Sequence, residues 1–224
     1  MTRPGFCVNP PWLDFDLGEP MQVLSWAVHR PGLVMARRII WREVRNADLP
    51  QHLDVAGWLQ GELAARDAMD AVTFLTSRAI RHHHVARVQS GLACATALAT
   101  VGLSNAERIG SRVCRAGQEW GTINIALHLD GGPDTGLNDA ALIETLSIAA
   151  AARTAAVIEA GLDLPTGRAT GTGTDCIAVA ARRGLIPYAG MHTDMGEAAG
   201  RAVHDAVRAG AREWMQQMHP GYTC

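Results

Sequence analysis

Four short segments of this 224-residue chain carry side chains that can activate water, stabilise an oxyanion or move a proton. Thr170-Gly171-Thr172-Gly173-Thr174-Asp175 leads into an apolar strand. Its alternate glycines let backbone approach a ligand, while three hydroxyls and a carboxylate line the entrance. Gly121-Thr122-Ile123-Asn124 opens a second strand, and the Asn124 amide can orient a water or donate to a developing oxyanion. Gly102-Leu103-Ser104-Asn105-Ala106 follows a buried strand and suits the holding of a polar group. Gly190-Met191-His192-Thr193-Asp194-Met195-Gly196-Glu197 sets an imidazole before a helix start, where His192 and Glu197 are both able to transfer protons. Each segment also has a plain reading. A Gly/Thr strand edge with Asp175 capping a turn, an asparagine satisfying nearby backbone, a surface turn, and a capping box that already explains Glu197 would produce the same residues.

Other chemistry is excluded or weak. All 20 basic residues are arginine, which removes Schiff-base lysines and the lysine of a Walker A loop. None of the serines sits in a G-x-S-x-G elbow. The five cysteines are odd in number and far apart, so they read as reduced thiols, mostly buried, and not as a disulfide framework or zinc site. His82-His83-His84 would place His82 and His84 on one face if extended, but no third ligand is evident, so no metal is expected there. A net charge of -2 without long charged blocks argues against nucleic acid or an anionic membrane as partner. Residues 1–20 have no apolar signal core, and a cytoplasmic location is the expectation.

The elements that must position these segments can be read from periodicity. Strands are expected at 21–28, 37–44, 71–76, 84–90, 92–103 and 176–181, with a helix over 49–65 and residues 1–20 irregular. The membrane-length uncharged run 88–106 is interrupted by polar residues and reads as two buried strands. In Thr122 to Asp130, Ile123, Ile125, Leu127 and Leu129 alternate with Asn124 and His128, which share a face but sit roughly 13 Å apart. Asn138 and Gly161 bound a helix over 139–160 with Ile143, Leu146, Ala150, Thr154, Val157 and Ile158 on its inner stripe. A second helix runs from about Met195 to Met215, with Asp194 and Glu197 at capping-box spacing and Ala199, Ala202, Val203, Ala206, Val207, Gly210 and Trp214 inward. The class is α+β, or mixed α/β layers: a single domain whose central mixed sheet is packed by two long Ala-rich helices and one shorter helix.

Taken together and in this order, the segments at 102–106, 121–125, 139–161, 170–175 and 192–197 resemble the adenosylcobinamide amidohydrolases, the CbiZ family of corrinoid salvage. The resemblance implies hydrolysis of the amide joining aminopropanol, or its phosphate, to the corrin propionate, giving cobyric acid. It implies a corrinoid small-molecule substrate and no cofactor beyond the cobalt that the substrate brings. A homodimer is reasonable for so large a ligand. On this reading Asp175 activates water, Asn124 and the backbone N–H groups of Gly171 to Thr174 hold the oxyanion, and His192 protonates the amine. Thr174 as a covalent nucleophile is the competing chemistry. Ser104, Asn105, Gly121, Thr122, Gly171, Thr172, Gly173 and Glu197 would contact substrate. The rival functions are a non-catalytic corrinoid carrier and an amidase acting on another metabolite.

Overall fold

The strand with the clearest alternation lies at the centre of the molecule. In the computed structural model, which describes residues 4–45, 48–50, 52–113, 121–132 and 135–218, the chain forms twelve strands and three helices among the described residues. The strands are β1 (Gly5–Asn9), β2 (Trp12–Ser25), β3 (Gly32–Glu43), β4 (Val72–Thr76), β5 (His83–Ser90), β6 (Ala93–Val101), β7 (Ala106–Glu107), β8 (Ile123–Asp130), β9 (Asp163–Leu164), β10 (Gly167–Arg168), β11 (Gly171–Thr172) and β12 (Cys176–Ala181). The helices are α1 (Val55–Ala65), α2 (Asp139–Ala160) and α3 (Asp194–Met218). Eight strands form one mixed sheet in the order β4-β3-β2-β12-β8-β6-β5, with β1 paired to β2. Pairings are antiparallel except β3 with β4 and β8 with β12. The β8–β12 pair is joined through α2, and the crossover makes β8, α2 and β12 one βαβ unit inside an α+β fold.

Each face of the sheet buries a different core. On one face Ala95, Ala97 and Ala99 of β6, the odd-numbered apolar residues of β8, and Ile177 and Val179 of β12 pack under α2 and α3. The helices answer with small residues, Ala198, Ala199, Ala202, Val203, Ala206 and Val207, which bring backbone close to the sheet. On the other face Leu98, Ala126, Ala178 and Ala180 meet Leu13, Phe15, Trp41, Phe74 and Ile80. That contact requires the sheet to curl. Phe6 of β1 meets the His83 ring of β5 edge-on at 5.1 Å, and the Asn124 amide of β8 donates to the Leu75 carbonyl of β4 at 2.7 Å. The outer strands thus fold back over the centre. A third small core, Ile40, Leu59, Leu63, Ala68 and Ala71, seats α1 on β3.

The class, the central mixed sheet and the three helices match the reading of the sequence. The run 88–106 is the β5–β6 hairpin and its exit loop. Asn138 caps α2, its Oδ1 accepting from Ala141 N–H at 2.9 Å, and Gly161 adopts φ 79° at the C-cap. All seven inward positions named for α3 are buried.

Four expectations are corrected. The described part of the segment expected to be irregular, from Gly5 on, is not: the β1–β2 hairpin occupies Gly5 to Ser25, the Pro10-Pro11 pair forming its turn instead of breaking a strand. The helix expected from 49 starts only at Val55, because Asp54 caps it, accepting from Gly57 N–H at 3.1 Å. The buried stripe of α2 is rotated from the one expected, since Ile143 and Ile158 are 59% and 43% exposed while Ala141, Leu142, Thr145, Ile148 and Ala149 face inward. The N-cap of α3 is Thr193, whose hydroxyl accepts from Gly196 N–H at 3.0 Å; Asp194 is the first helical residue. By length and composition α2 could cross a membrane; here it packs against α3 and β12.

Two stability measurements test this packing. A Cβ on Gly196 would stand 2.6 Å from the Ala189 carbonyl oxygen, a backbone atom that cannot rotate away, whereas one on Gly200 meets only Ile148 Cγ2 at 3.3 Å. Gly196→Ala should therefore lose ~1–3 kcal/mol by overpacking, a Tm drop of several degrees at ~2–4 °C per kcal/mol, while Gly200→Ala should be neutral or stabilising. His128, 5% exposed on the curled face, has its imidazole pushed down to about 4 by burial. Below pH 6.5 the unfolded chain gains a proton that the native state refuses, so stability falls on acidification. By linkage at ~1.4 kcal/mol per unit, up to about 3 kcal/mol should be lost between pH 6.5 and 4, and His128→Gln should flatten that slope in denaturant titrations.

Candidate active site

The parallel register fixes what lies beside what. Cys176 of β12 pairs with Asn124 of β8, so the residues two positions ahead of that pair, Thr174 and Thr122, come together at one end of the sheet. The Thr122 hydroxyl donates to the Thr174 carbonyl at 2.8 Å and lies 3.2 Å from Asn124 Oδ1. The Thr174 hydroxyl donates to the Gly121 carbonyl at 3.2 Å and accepts from the Asn105 amide at 3.3 Å.

Backbone pairing draws the loops in. β11 pairs with β7, setting Gly171 against Glu107 and Thr172 against Ala106, and Gly173 N–H donates to the Asn105 carbonyl at 3.4 Å. Segment 102–105 crosses directly over Gly121, where a Cβ would stand 2.7 Å from Ser104 N and 3.0 Å from Asn105 N. Any side chain at 121 would push that loop off.

These residues edge a cleft of about 600 Å³, within the range typical of small-molecule sites. Its lining mixes the hydroxyl-bearing Thr76, Ser77, Thr122 and Thr174 with the apolar Val28, Val44, Leu49, Pro50, Leu53, Val55 and Leu75, and includes Arg45. Among the described residues lining it there is no imidazole and no carboxylate. It is suited to a ligand with an apolar body and a neutral polar arm.

The structure thus gathers Ser104, Asn105, Gly121, Thr122, Gly171, Thr172, Gly173 and Thr174 into one corner, with Thr122, Gly121 and Thr174 on the cleft itself. It does not gather the three groups expected to do acid–base and oxyanion chemistry. Asn124 is buried on the curled face, its amide engaged by the Leu75 carbonyl beneath the cleft. Asp175 lies on the opposite face, turned toward α2 and Arg153. Strand parity separates them, because adjacent side chains of β8 point to opposite sides and Asp175 reaches the N–H of Ile123, the residue before Asn124.

His192 and Glu197 belong to the far end of the molecule. The Ser90 hydroxyl, at the β5–β6 turn, donates to Glu197 at 2.9 Å. His83, at the other end of β5, pairs with Thr100, and Thr100 with Asn124. Seven residues at ~3.3 Å each put about 23 Å between the two ends. His192 is exposed beside Gly190 and the start of α3. It cannot serve an atom bound at Thr174.

Electrostatics single out Asp175. Burial raises its carboxyl above the ordinary value, against the lowering exerted by Arg153 and by donors from Thr172 and Ile123. Neighbouring Cys176 is buried, and burial pushes its thiol up to about 12, which leaves it unreactive. Cys7, Cys94 and Cys176 are free, with Cys7 exposed and Cys94 half-buried, so burial of the thiols holds fully only for Cys176; Cys114 and Cys224 lie outside the described residues.

The histidine run serves the fold: His82 Nδ1 and His84 Nε2 meet the two oxygens of Glu213 at 2.7 and 2.8 Å, tying β5 to the end of α3. No three His, Cys, Asp or Glu side chains are arranged to hold a metal among the described residues. The residues that sequence reading passed over are the apolar lining and Thr76-Ser77. Nothing in their types distinguishes them from core.

The family model of adenosylcobinamide amidohydrolases matches residues 5–219. No curated relative gives a significant match. The match takes in every strand of the curled sheet, both long helices and the segments at 102–105, 121–122 and 171–174. The chain belongs to the adenosylcobinamide amidohydrolase family and is an amide-bond hydrolase.

Proposed function

We propose that this cleft cleaves the aminopropanol amide of adenosylcobinamide, releasing cobyric acid for re-entry into cobamide synthesis. Water adds across the C–N bond, the corrin propionate leaves as a carboxylate and aminopropanol as an ammonium, and the cobalt enters and departs with the substrate. The observation that carries the reading is the mixed lining of the cleft, apolar side chains together with hydroxyls. A corrinoid is a flat apolar ring edged with amides, and the apolar Val28, Leu49, Pro50, Leu53, Val55 and Leu75 suit the ring while the hydroxyls suit the amide arm. A cleft of about 600 Å³ takes the scissile arm and one ring edge; a second subunit would cover the remainder. Free thiols at Cys7, Cys94 and Cys176 support a reducing, cytoplasmic setting.

Thr174 is the side chain we assign to the scissile amide. The residue is exposed and lines the cleft, its hydroxyl held by the Gly121 carbonyl and the Asn105 amide. It either attacks the carbonyl, forming an ester that water then hydrolyses, or orients the attacking water. Thr122 and the backbone of 121–122 adjoin it on the same edge.

Purified protein incubated with adenosylcobinamide should yield cobyric acid and aminopropanol, followed by chromatography and mass spectrometry. Recovery of uncut ligand would overturn the proposal. Thr174→Ala should lower kcat about a hundredfold or more, the rate equivalent of ~3 kcal/mol, while Thr174→Ser retains much of it. An ester trapped at position 174 after acid quench identifies the covalent route; near-normal turnover of Thr174→Ala removes that side chain from the reaction.

A further inference from the structure

The hydroxyl edge of the cleft is held by a carboxylate that does not line it. Asp175 follows Thr174 at the head of β12, yet its side chain is only 7% exposed and turned to the helix face. Its Oδ1 accepts from Ile123 N–H at 3.3 Å, from Thr172 N–H at 3.1 Å and from the Thr172 hydroxyl. Its Oδ2 accepts from Thr172 N–H at 3.1 Å and forms an ion pair with Arg153 of α2. The indole of Trp26 adds a hydrogen bond to the Asp175 backbone carbonyl at 2.6 Å.

We propose that Asp175 and Arg153 form a buried clasp that sets the Thr174 hydroxyl against the Gly121–Thr122 edge, so that Asp175 is a positioning residue and not the group that deprotonates water. The proposal rests on the reading of this cleft as the site of amide hydrolysis.

Three observations carry it. A carboxylate offers about four lone-pair directions, and donors from β8, β11 and α2 occupy them. A general base must come within ~2.6–3.2 Å of the proton it takes, and Asp175 is not among the residues that line the cleft. Its ligands are also the neighbours of the cleft residues. Ile123 follows Thr122, and the contacts between Thr172 and Asp175 close a tight turn that contains Thr174. Displacing the carboxylate displaces both hydroxyls together. Finally, the clasp explains a glycine that the Gly/Thr run otherwise assigns to ligand contact. A Cβ on Gly171 would stand 2.7 Å from Asp175 Oδ2 and 3.1 Å from Arg153 Cζ. The glycine makes room for the ion pair.

The test combines kinetics with amide hydrogen exchange in Asp175→Asn, Arg153→Met and Thr172→Val. All three should speed exchange at Ile123 and Thr172 by tenfold or more, since each loosens the carboxylate those amides donate to. Asp175→Asn and Arg153→Met should lower kcat/KM by similar factors of ~10–100, and the double variant should be no worse than about threefold below either, as expected of groups acting as a unit. The acidic limb of the kcat–pH profile should stay where it is in the wild type. Thr172→Val keeps the ion pair intact and decides the matter should burying an unpaired Arg153 unfold the protein.

The clasp is refuted if Asp175→Asn alone abolishes turnover together with the acidic limb while Arg153→Met works normally. Unchanged exchange at Ile123 and Thr172 in all three variants refutes it equally. Should the wild type leave adenosylcobinamide uncut, the functional reading falls by itself, and the exchange data still judge the clasp without any substrate.

Discussion

The parallel hydrogen-bonded ladder between Ile123–Asp130 and Cys176–Ala181 is the constraint on which the rest of this molecule depends. It fixes two strand starts side by side and so two threonines from distant parts of the chain within one hydrogen bond of each other. Because parallel strands need a crossover, it also requires α2, and α2 supplies the arginine behind the Gly/Thr run. The antiparallel neighbours then follow. β6 and β5 extend the sheet on one side and β2 and β3 on the other, and the curl of those outer strands lays Leu75 and Thr76 over the same end. The cleft is the gap left where the returning β4 and the segment after β3 meet the mouths of β8 and β12.

That arrangement accounts for what could and could not be read from sequence. The ends of α2 were legible because Asn138 and Gly161 do local work, a side-chain cap and a positive φ. The core face of β8 was legible because strict alternation has one structural meaning. The Gly/Thr run was recognised as unusual, and its residues do gather at one corner with Asn105, Gly121 and Thr122. The roles within it were not legible. Whether residue 174 or 175 faces the ligand depends on strand parity, and parity has meaning only once the partner strand and its register are known.

The same limit explains His192. Composition places an imidazole near a helix start, which is true, but the helix start lies at the end of the sheet where β8 and β12 finish, and topology alone decides that. The β1–β2 hairpin was hidden for another reason: two prolines and several acids mask the inward Leu13, Phe15 and Leu17, and prolines mark a turn as readily as a disordered segment. The apolar lining of the cleft left no sequence signal, since leucines and valines facing a ligand look like leucines and valines facing a core.

The layer between the sheet and α3 carries a longer-term implication. With alanine on both sides, Ala95, Ala97 and Ala99 below and Ala199, Ala202 and Ala206 above, the two backbones are already near contact, and a methylene added to either partner has nowhere to go. Evolutionary drift there should proceed by compensated exchanges, one side shrinking toward glycine as the other grows. Gly210, whose missing Cβ leaves room for Val101, has the form such a pairing would take.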